Sequence, residues 1–225
     1  MNDNKRLAVI EGLDGCGKST QFELSAKKLA EKGVAVKAIS FPDYEQPSSA
    51  LVRLYLDGKL SDTADEINAY AAASFYAVDR YASFKQFWEK EYNSGTFILA
   101  ARYVTSNLIY QMSKLERDKW EEFTDWLYDY EYKRLGLPEP DKVIFLDMPL
   151  EVSQKLLAKR YEGDESKKDI HEANMEYMKR CRDAAYFSAK KLGWEIIDCS
   201  DGNEPLAIDE INAKITDKLY ALIKY

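Results

Sequence analysis

Gly12-Leu13-Asp14-Gly15-Cys16-Gly17-Lys18-Ser19 follows the apolar run Leu7-Ala8-Val9-Ile10 and precedes a helical pattern that starts at Lys18. Strand, glycine-rich loop and helix at the spacing G-x-x-x-x-G-K-[ST] predict a phosphate-binding P-loop. Glycines let successive backbone N–H groups turn inward onto an anion, and the following helix adds the positive end of its dipole. Lys18 is placed to reach the outer phosphates. The Ser19 hydroxyl is placed to help hold Mg²⁺. The nucleotide-binding set expected from this stretch is Gly12, Asp14, Gly15, Cys16, Gly17, Lys18, Ser19 and Thr20.

Outward from the loop, apolar runs at 34–40, 96–100, 142–146 and 194–198 read as four further strands. Helical patterns run between them. Gly33 closes the first helix, and Phe41-Pro42-Asp43-Tyr44 leaves the sheet because proline cannot continue a ladder. A short helix is expected over 49–56. A long one is expected over 63–92, opened by capping-box spacing at Thr63 and Glu66, with Ile67, Ala71, Ser74, Val78 and Ala82 as its buried stripe. The segment 119–135 reads as an amphipathic helix with Trp120, Phe123, Leu127 and Tyr130 on one side, a stripe that suits core or a subunit contact. Further helices are expected over 150–160, over 171–192 and after Pro205, the last with Ile208, Ile211, Ile215, Leu219 and Leu222 aligned. This alternation predicts an α/β fold, a three-layer α/β/α P-loop domain on a five-stranded parallel sheet. Residues 1–225 form one domain, with a short charged lid at about 159–170.

Composition narrows the function. The chain has 225 residues, 46% of them hydrophobic, which is enough for a core, and a net charge of −7. An acidic chain argues against a general nucleic-acid or membrane-surface binder. The three cysteines, Cys16, Cys181 and Cys199, contain no C-x-x-C pair and suggest neither zinc nor a disulfide framework. With a short polar N-terminus and no long apolar run, a cytoplasmic location is expected. The single histidine, His171, disfavours a Ser/His/Asp hydrolase. A P-loop GTPase is disfavoured too, because no guanine-reading N-K-x-D stands in the right context.

A P-loop does not name a substrate, but four blocks in order do more. Ile10 to Thr20 reads IEGLDGCGKST, residues 75–80 read FYAVDR, 102–111 read RYVTSNLIYQ and 140–149 read PDKVIFLDMP. Together they resemble the thymidylate kinase family over nearly the whole chain. The resemblance implies the nucleoside monophosphate kinase fold, transfer of a phosphoryl group from ATP to dTMP with Mg²⁺, and a homodimer. It implies that Asp14 receives the deoxyribose 3′-hydroxyl, Tyr76 stacks on thymine and Arg80 hydrogen-bonds the base. Arg102 would hold the acceptor phosphate, and Tyr44 would lie near the phosphates. Ser106 and Asn107 would join the acceptor site, and Tyr110 would crowd the ribose 2′ position. Some family members place a catalytic arginine directly after the P-loop aspartate. Gly15 stands there, which resembles the class whose basic residue lies in the lid. Among Lys159, Arg160, Lys167 and Lys168, Arg160 is the expected catalytic residue, beside Lys18 and Arg102. Asp169 and Glu172 have helix-capping spacing.

One position departs from the family pattern: Ala101 precedes Arg102 where the family carries aspartate. The sequence leaves three readings open. Glu11 or Asp147 compensates, the protein is a weak kinase or a nucleotide-binding relic, or the alanine was introduced to trap a complex. A non-catalytic nucleotide-binding protein and a kinase with another deoxynucleotide acceptor therefore stay beside the first reading.

Overall fold

A computed structural model describes residues 6–61, 63, 65–160 and 174–223. Five strands form one parallel sheet: β1 (Leu7–Gly12), β2 (Val36–Ser40), β3 (Phe97–Ala101), β4 (Lys142–Asp147) and β5 (Glu195–Asp198). Their order across the sheet is β2-β3-β1-β4-β5, so the P-loop strand is central. The three inner strands β1, β3 and β4 are near-continuous apolar runs because helices cover both faces, while the edge strands β2 and β5 are only partly buried.

One face carries α1 (Lys18–Glu31), directly after the P-loop, and α9 (Ile208–Ile223). Their partners in that core are Ala8, Ile10, Phe97, Leu99, Ile144 and Leu146. The other face carries α3 (Ala69–Ser83), α5 (Asn107–Tyr110), α6 (Trp120–Leu127) and α8 (Met175–Leu192) over Leu7, Val9, Ile98, Ala100, Val143 and Phe145. Strand alternation thus assigns each sheet position to one core or the other. The short α2 (Ala50–Leu56) lies beside α3, α4 (Glu89–Asn93) precedes β3, and α7 (Leu150–Arg160) follows β4. Among the described residues, no helix is long and apolar enough to cross a membrane.

Several expected elements shift. α3 begins at Ala69, where the Asn68 side chain accepts from the Tyr70 and Ala71 amides; Thr63 is a bend outside it. A π-helical turn over Phe84–Trp88 separates α3 from α4, so 63–92 is not one helix. The buried face of α3 is Ala69, Ala72, Ala73, Ala77, Asp79, Arg80 and Ser83, whereas Val78 is half exposed and Ala71 exposed. Small alanines and two hydrogen-bonded charged side chains occupy the inside, so hydrophobicity alone picked the wrong stripe. The expected helix 119–135 is α6 followed by a π turn over Tyr128–Arg134. Trp120, Phe123 and Leu127 belong to the chain's own core, which removes that stripe as a subunit contact; Tyr130 is only half-buried, stacked on Trp126. Ile208 is exposed, because α9 starts there and only from Ile211 does its apolar side meet the sheet.

Candidate active site

The chain reverses direction across the sheet at β1, whose neighbours are β3 and β4, and a crevice opens beyond the carboxyl ends of these strands. A cavity of about 750 Å³ occupies it. Asp14, Gly15, Cys16, Gly17, Lys18, Ser19 and Thr20 line one part. Tyr44, Tyr76, Arg80, Arg102, Ser106, Asn107 and Tyr110 line another. Two groups of residues separated by much of the sequence therefore share one space. Gly12, not on the wall itself, accepts a hydrogen bond from Lys18 Nζ at 3.1 Å through its carbonyl. Arg160 closes α7, while its side chain and residues 161–173, which hold Lys167, Lys168, Asp169, His171 and Glu172, lie outside the described residues.

The P-loop geometry follows from its glycines. Gly15 and Gly17 adopt φ of +79° and +84°, open to glycine without strain. Gly17 is also the cap of α1, so the first turn of that helix faces the cavity. Burial and the nearby Arg102 guanidinium lower the Lys18 pKa, and burial raises that of the Cys16 thiol. The Ser19 hydroxyl is exposed on the cavity wall.

At the mouth of β3, Arg102 adopts φ of +62°, a costly value for a residue with a Cβ and of a kind that clusters at working sites. Its guanidinium pairs with Asp14 and lies 5.0 Å from the centre of the Tyr110 ring. Tyr110 Oη donates to the other Asp14 oxygen at 3.1 Å. Burial opposes the Arg102 charge, but Asp14, Tyr110 and Glu11 outweigh it and raise its pKa. The residues expected to hold the acceptor phosphate and its 3′-hydroxyl thus hold each other.

Deeper in the wall, Arg80 is 1% exposed, not a surface residue. It donates from Nε and Nη2 to the two oxygens of Glu131, at 2.7 and 2.5 Å. Burial opposes this charge too, and Glu131 more than restores it. Asn107 Nδ2 donates to Glu131 Oε1 at 3.1 Å and to the Ala73 carbonyl at 3.3 Å. Tyr76, half-buried, lies edge-on to Tyr55 with ring centres 6.4 Å apart. Tyr44 is exposed at the rim, and the loop that carries it is tied to α3 by Asp79, which accepts from the Asp43 amide and the Ser48 hydroxyl.

Three of these residues escaped the sequence reading. Glu131, in the π turn that continues α6, occupies the next inward place after Phe123 and Leu127, four residues on. A carboxylate on an apolar stripe is the signal that marks it. Asp79 stood in a quoted block, with no partner visible in sequence. Gln111 is buried on the cavity wall, and its Oε1 has no hydrogen-bond partner.

The pleat also shows what surrounds Ala101. Ala101 stands beside Ile10 and Ser40 in register and shares the α1 face with Phe97 and Leu99. Glu11 and Asp147 alternate onto the opposite face, with Val9 and Phe145. Glu11 accepts from the Tyr103 amide and the Thr105 and Ser106 hydroxyls, holding the loop after β3. Burial raises its pKa, with Arg102 and those hydroxyls opposing. Asp147 accepts from Arg182 and Tyr186 of α8. Both carboxylates are thus engaged on the other face, while Glu11 still attracts Lys18 and Arg102.

Known proteins resemble this chain in sequence and in fold. The sequence model of the thymidylate kinase family matches residues 10–208. A thymidylate kinase of Mycobacterium tuberculosis (strain ATCC 25618 / H37Rv) is 29% identical over 190 residues, 84% of this chain and 87% of that one. A protein of Thermococcus onnurineus, named "Probable thymidylate kinase", is 33% identical over 151 residues, 65% of this chain and 68% of its own. The solved structure of thymidylate kinase from Candida albicans superposes with a TM-score of 0.68 at 23% identity, covering 96% of this chain and 91% of that one. That last likeness shows the fold.

Proposed function

The chain belongs to the thymidylate kinase family, and from that premise we propose that it transfers the γ-phosphoryl group of ATP to dTMP in the cavity described above. The observation that carries this reading is the convergence of the P-loop and the Tyr76, Arg80, Arg102, Asn107 and Tyr110 wall in a single cavity. Phosphoryl transfer asks for two anions in line, their charge neutralised and water kept out. P-loop amides and Lys18 take the donor phosphates. Arg102 exchanges Asp14 for the acceptor phosphate, which suits its planar fork. Asp14, released, accepts from the 3′-hydroxyl, and Tyr110 stays against the sugar. Tyr76 stacks on the base, and Arg80 with Asn107 reads its edge. Arg160 remains the proposed lid residue that meets the transferring group.

Mg²⁺ suits this donor set. Among the described residues no group of three or more His, Cys, Asp or Glu side chains is placed to bind a metal, and Ser19 offers a single hydroxyl. Mg²⁺ commonly keeps its waters and takes most other ligands from substrate phosphates. When bound, it neutralises charge on the donor phosphates; Ser19 is the residue that would hold it. The homodimer and the cytoplasmic location belong to the same proposal, the latter supported by three unpaired thiols.

ADP release from Mg²⁺-ATP is the test, against dTMP, dUMP, dCMP, dGMP and UMP, for the chain as it stands and for Ala101→Asp. Turnover selective for dTMP is expected. Because Glu11 and Asp147 are already engaged with the loop after β3 and with α8, Ala101→Asp is expected to raise kcat about tenfold with little change in ATP affinity. Absence of both turnover and dTMP binding in both forms overturns the reading and leaves a non-catalytic nucleotide-binding protein.

A further inference from the structure

Glu131 is fully buried, yet it touches neither the cavity nor solvent. Its carboxylate takes three hydrogen bonds, all from the side chains of Arg80 and Asn107, two residues that do line the cavity. Three of the five N–H donors of Arg80 are committed: two to Glu131 and one, at 3.4 Å, to the Tyr103 carbonyl. The remaining N–H groups are what Arg80 offers the cavity. Both Nδ2 hydrogens of Asn107 are committed as well, to Glu131 Oε1 and the Ala73 carbonyl. Carboxylate and carbonyl only accept, so the Asn107 amide cannot turn over without facing oxygen with oxygen. Its Oδ1 is therefore the atom left for the cavity.

We propose that Glu131 is a positioning residue that sets base specificity, by fixing the wall as a donor from Arg80 next to an acceptor from Asn107. This deepens the reading above and rests on it. A 4-oxo pyrimidine presents O4, an acceptor, beside N3–H, a donor, and matches the wall. A 4-amino pyrimidine presents a donor beside an acceptor and meets like against like at both places. The π turn that holds Glu131 supports the assignment. The Leu135 amide reaches back to Tyr130 and the Leu137 amide to Glu131, a local irregularity of the kind found at functional positions.

Glu131→Gln tests it, because it keeps the shape but introduces a donor that faces Arg80 or Asn107. The native chain is measured first, by calorimetric titration and by turnover with dTMP and dCMP. Failure there to bind or turn over dTMP counts against the function itself and is seen before any variant is read. In Glu131→Gln the ratio of kcat/KM for dTMP over dCMP is expected to fall at least about tenfold. The fall is expected through KM for dTMP more than through kcat, with ATP affinity unchanged. Glu131→Asp, which keeps the charge at a shorter reach, is expected to recover part of the ratio and covers a glutamine variant that does not fold. A ratio unchanged within twofold in whichever variant folds overturns the proposal, since a purely structural role lowers stability and leaves the ratio alone. If neither folds, Asn107→Ala decides: a fall of at least about tenfold in the dTMP over dCMP ratio supports the acceptor that Glu131 orients, and a ratio unchanged within twofold overturns it.

Discussion

At Gly15 a side chain has nowhere to go. A Cβ there would stand 2.6 Å from the Ser153 carbonyl oxygen and 2.8 Å from Leu157 Cγ, both on α7, at φ of +79°. Gly17, at φ of +84°, has nothing within 4 Å of the same hypothetical atom. The two P-loop glycines thus answer different demands, one for close approach and one for backbone conformation alone. Gly15→Ala is expected to cost about 1–3 kcal/mol from overpacking, added to the backbone penalty, and to weaken ATP binding at least about tenfold. Gly17→Ala is expected to cost only the backbone penalty of about 1–2 kcal/mol. Urea titration and nucleotide titration of both variants check this; equal losses would refute it. The same crowding explains why a catalytic arginine cannot stand at this position without displacing α7, and why the proposal gives that role to Arg160.

Among the elements, α3 carries the acceptor wall, and its start is held by one side chain. Asn68 Oδ1 accepts from the Tyr70 and Ala71 amides at 2.9 and 3.2 Å. Asn68→Ala is expected to cost about 1 kcal/mol and to lower Tm by about 2–4 °C. Because Tyr76 and Arg80 lie on this helix, KM for dTMP should rise while ATP affinity holds; a rise in both would show damage beyond α3. This helix also marks where sequence stops being legible. Strands 7–12, 97–101 and 142–147 are apolar runs buried on both faces, and pattern alone finds them. The P-loop is found because its chemistry is local. α3 defeats the pattern because its inner face is alanine plus Asp79 and Arg80, whose burial depends on partners 36 and 51 residues away in the chain. Glu131 is only half legible for the same reason: its place on the apolar stripe marks it, but the sequence does not show Arg80 as the partner that lets a carboxylate sit inside. Arg102, Asn107 and Tyr110 were placed at the site by family resemblance. What resemblance did not convey is that Asp14 and Arg102 pair with each other.

Over the whole molecule, the two cores enclose all three thiols. Cys16 and Cys199 lie on the α1 side and Cys181 on the α8 side, each at most 2% exposed. Burial pushes Cys181 and Cys199 up to about 12, the first despite a hydrogen bond with Ser113. At pH 8 the folded chain is expected to react with an aromatic disulfide reagent at least about 100-fold more slowly than the unfolded chain. Three thiols should titrate in denaturant. One fast thiol in the native protein would show that a core opens locally.

Alternation along β1, β3 and β4 has a consequence of a different kind. Carboxylates at Glu11 and Asp147 brace the loop after β3 and the helix α8, while position 101 looks toward α1. The sheet therefore aims position 101 and these two carboxylates at different neighbours, although Glu11 still attracts Lys18 and Arg102 through space. Substitution at position 101 can retune how the donor is handled while the base-reading wall stays as it is. Substitution at Glu131 can do the converse. Rate and selectivity are expected to respond to different single residues in this architecture, the first to position 101 and the second to Glu131.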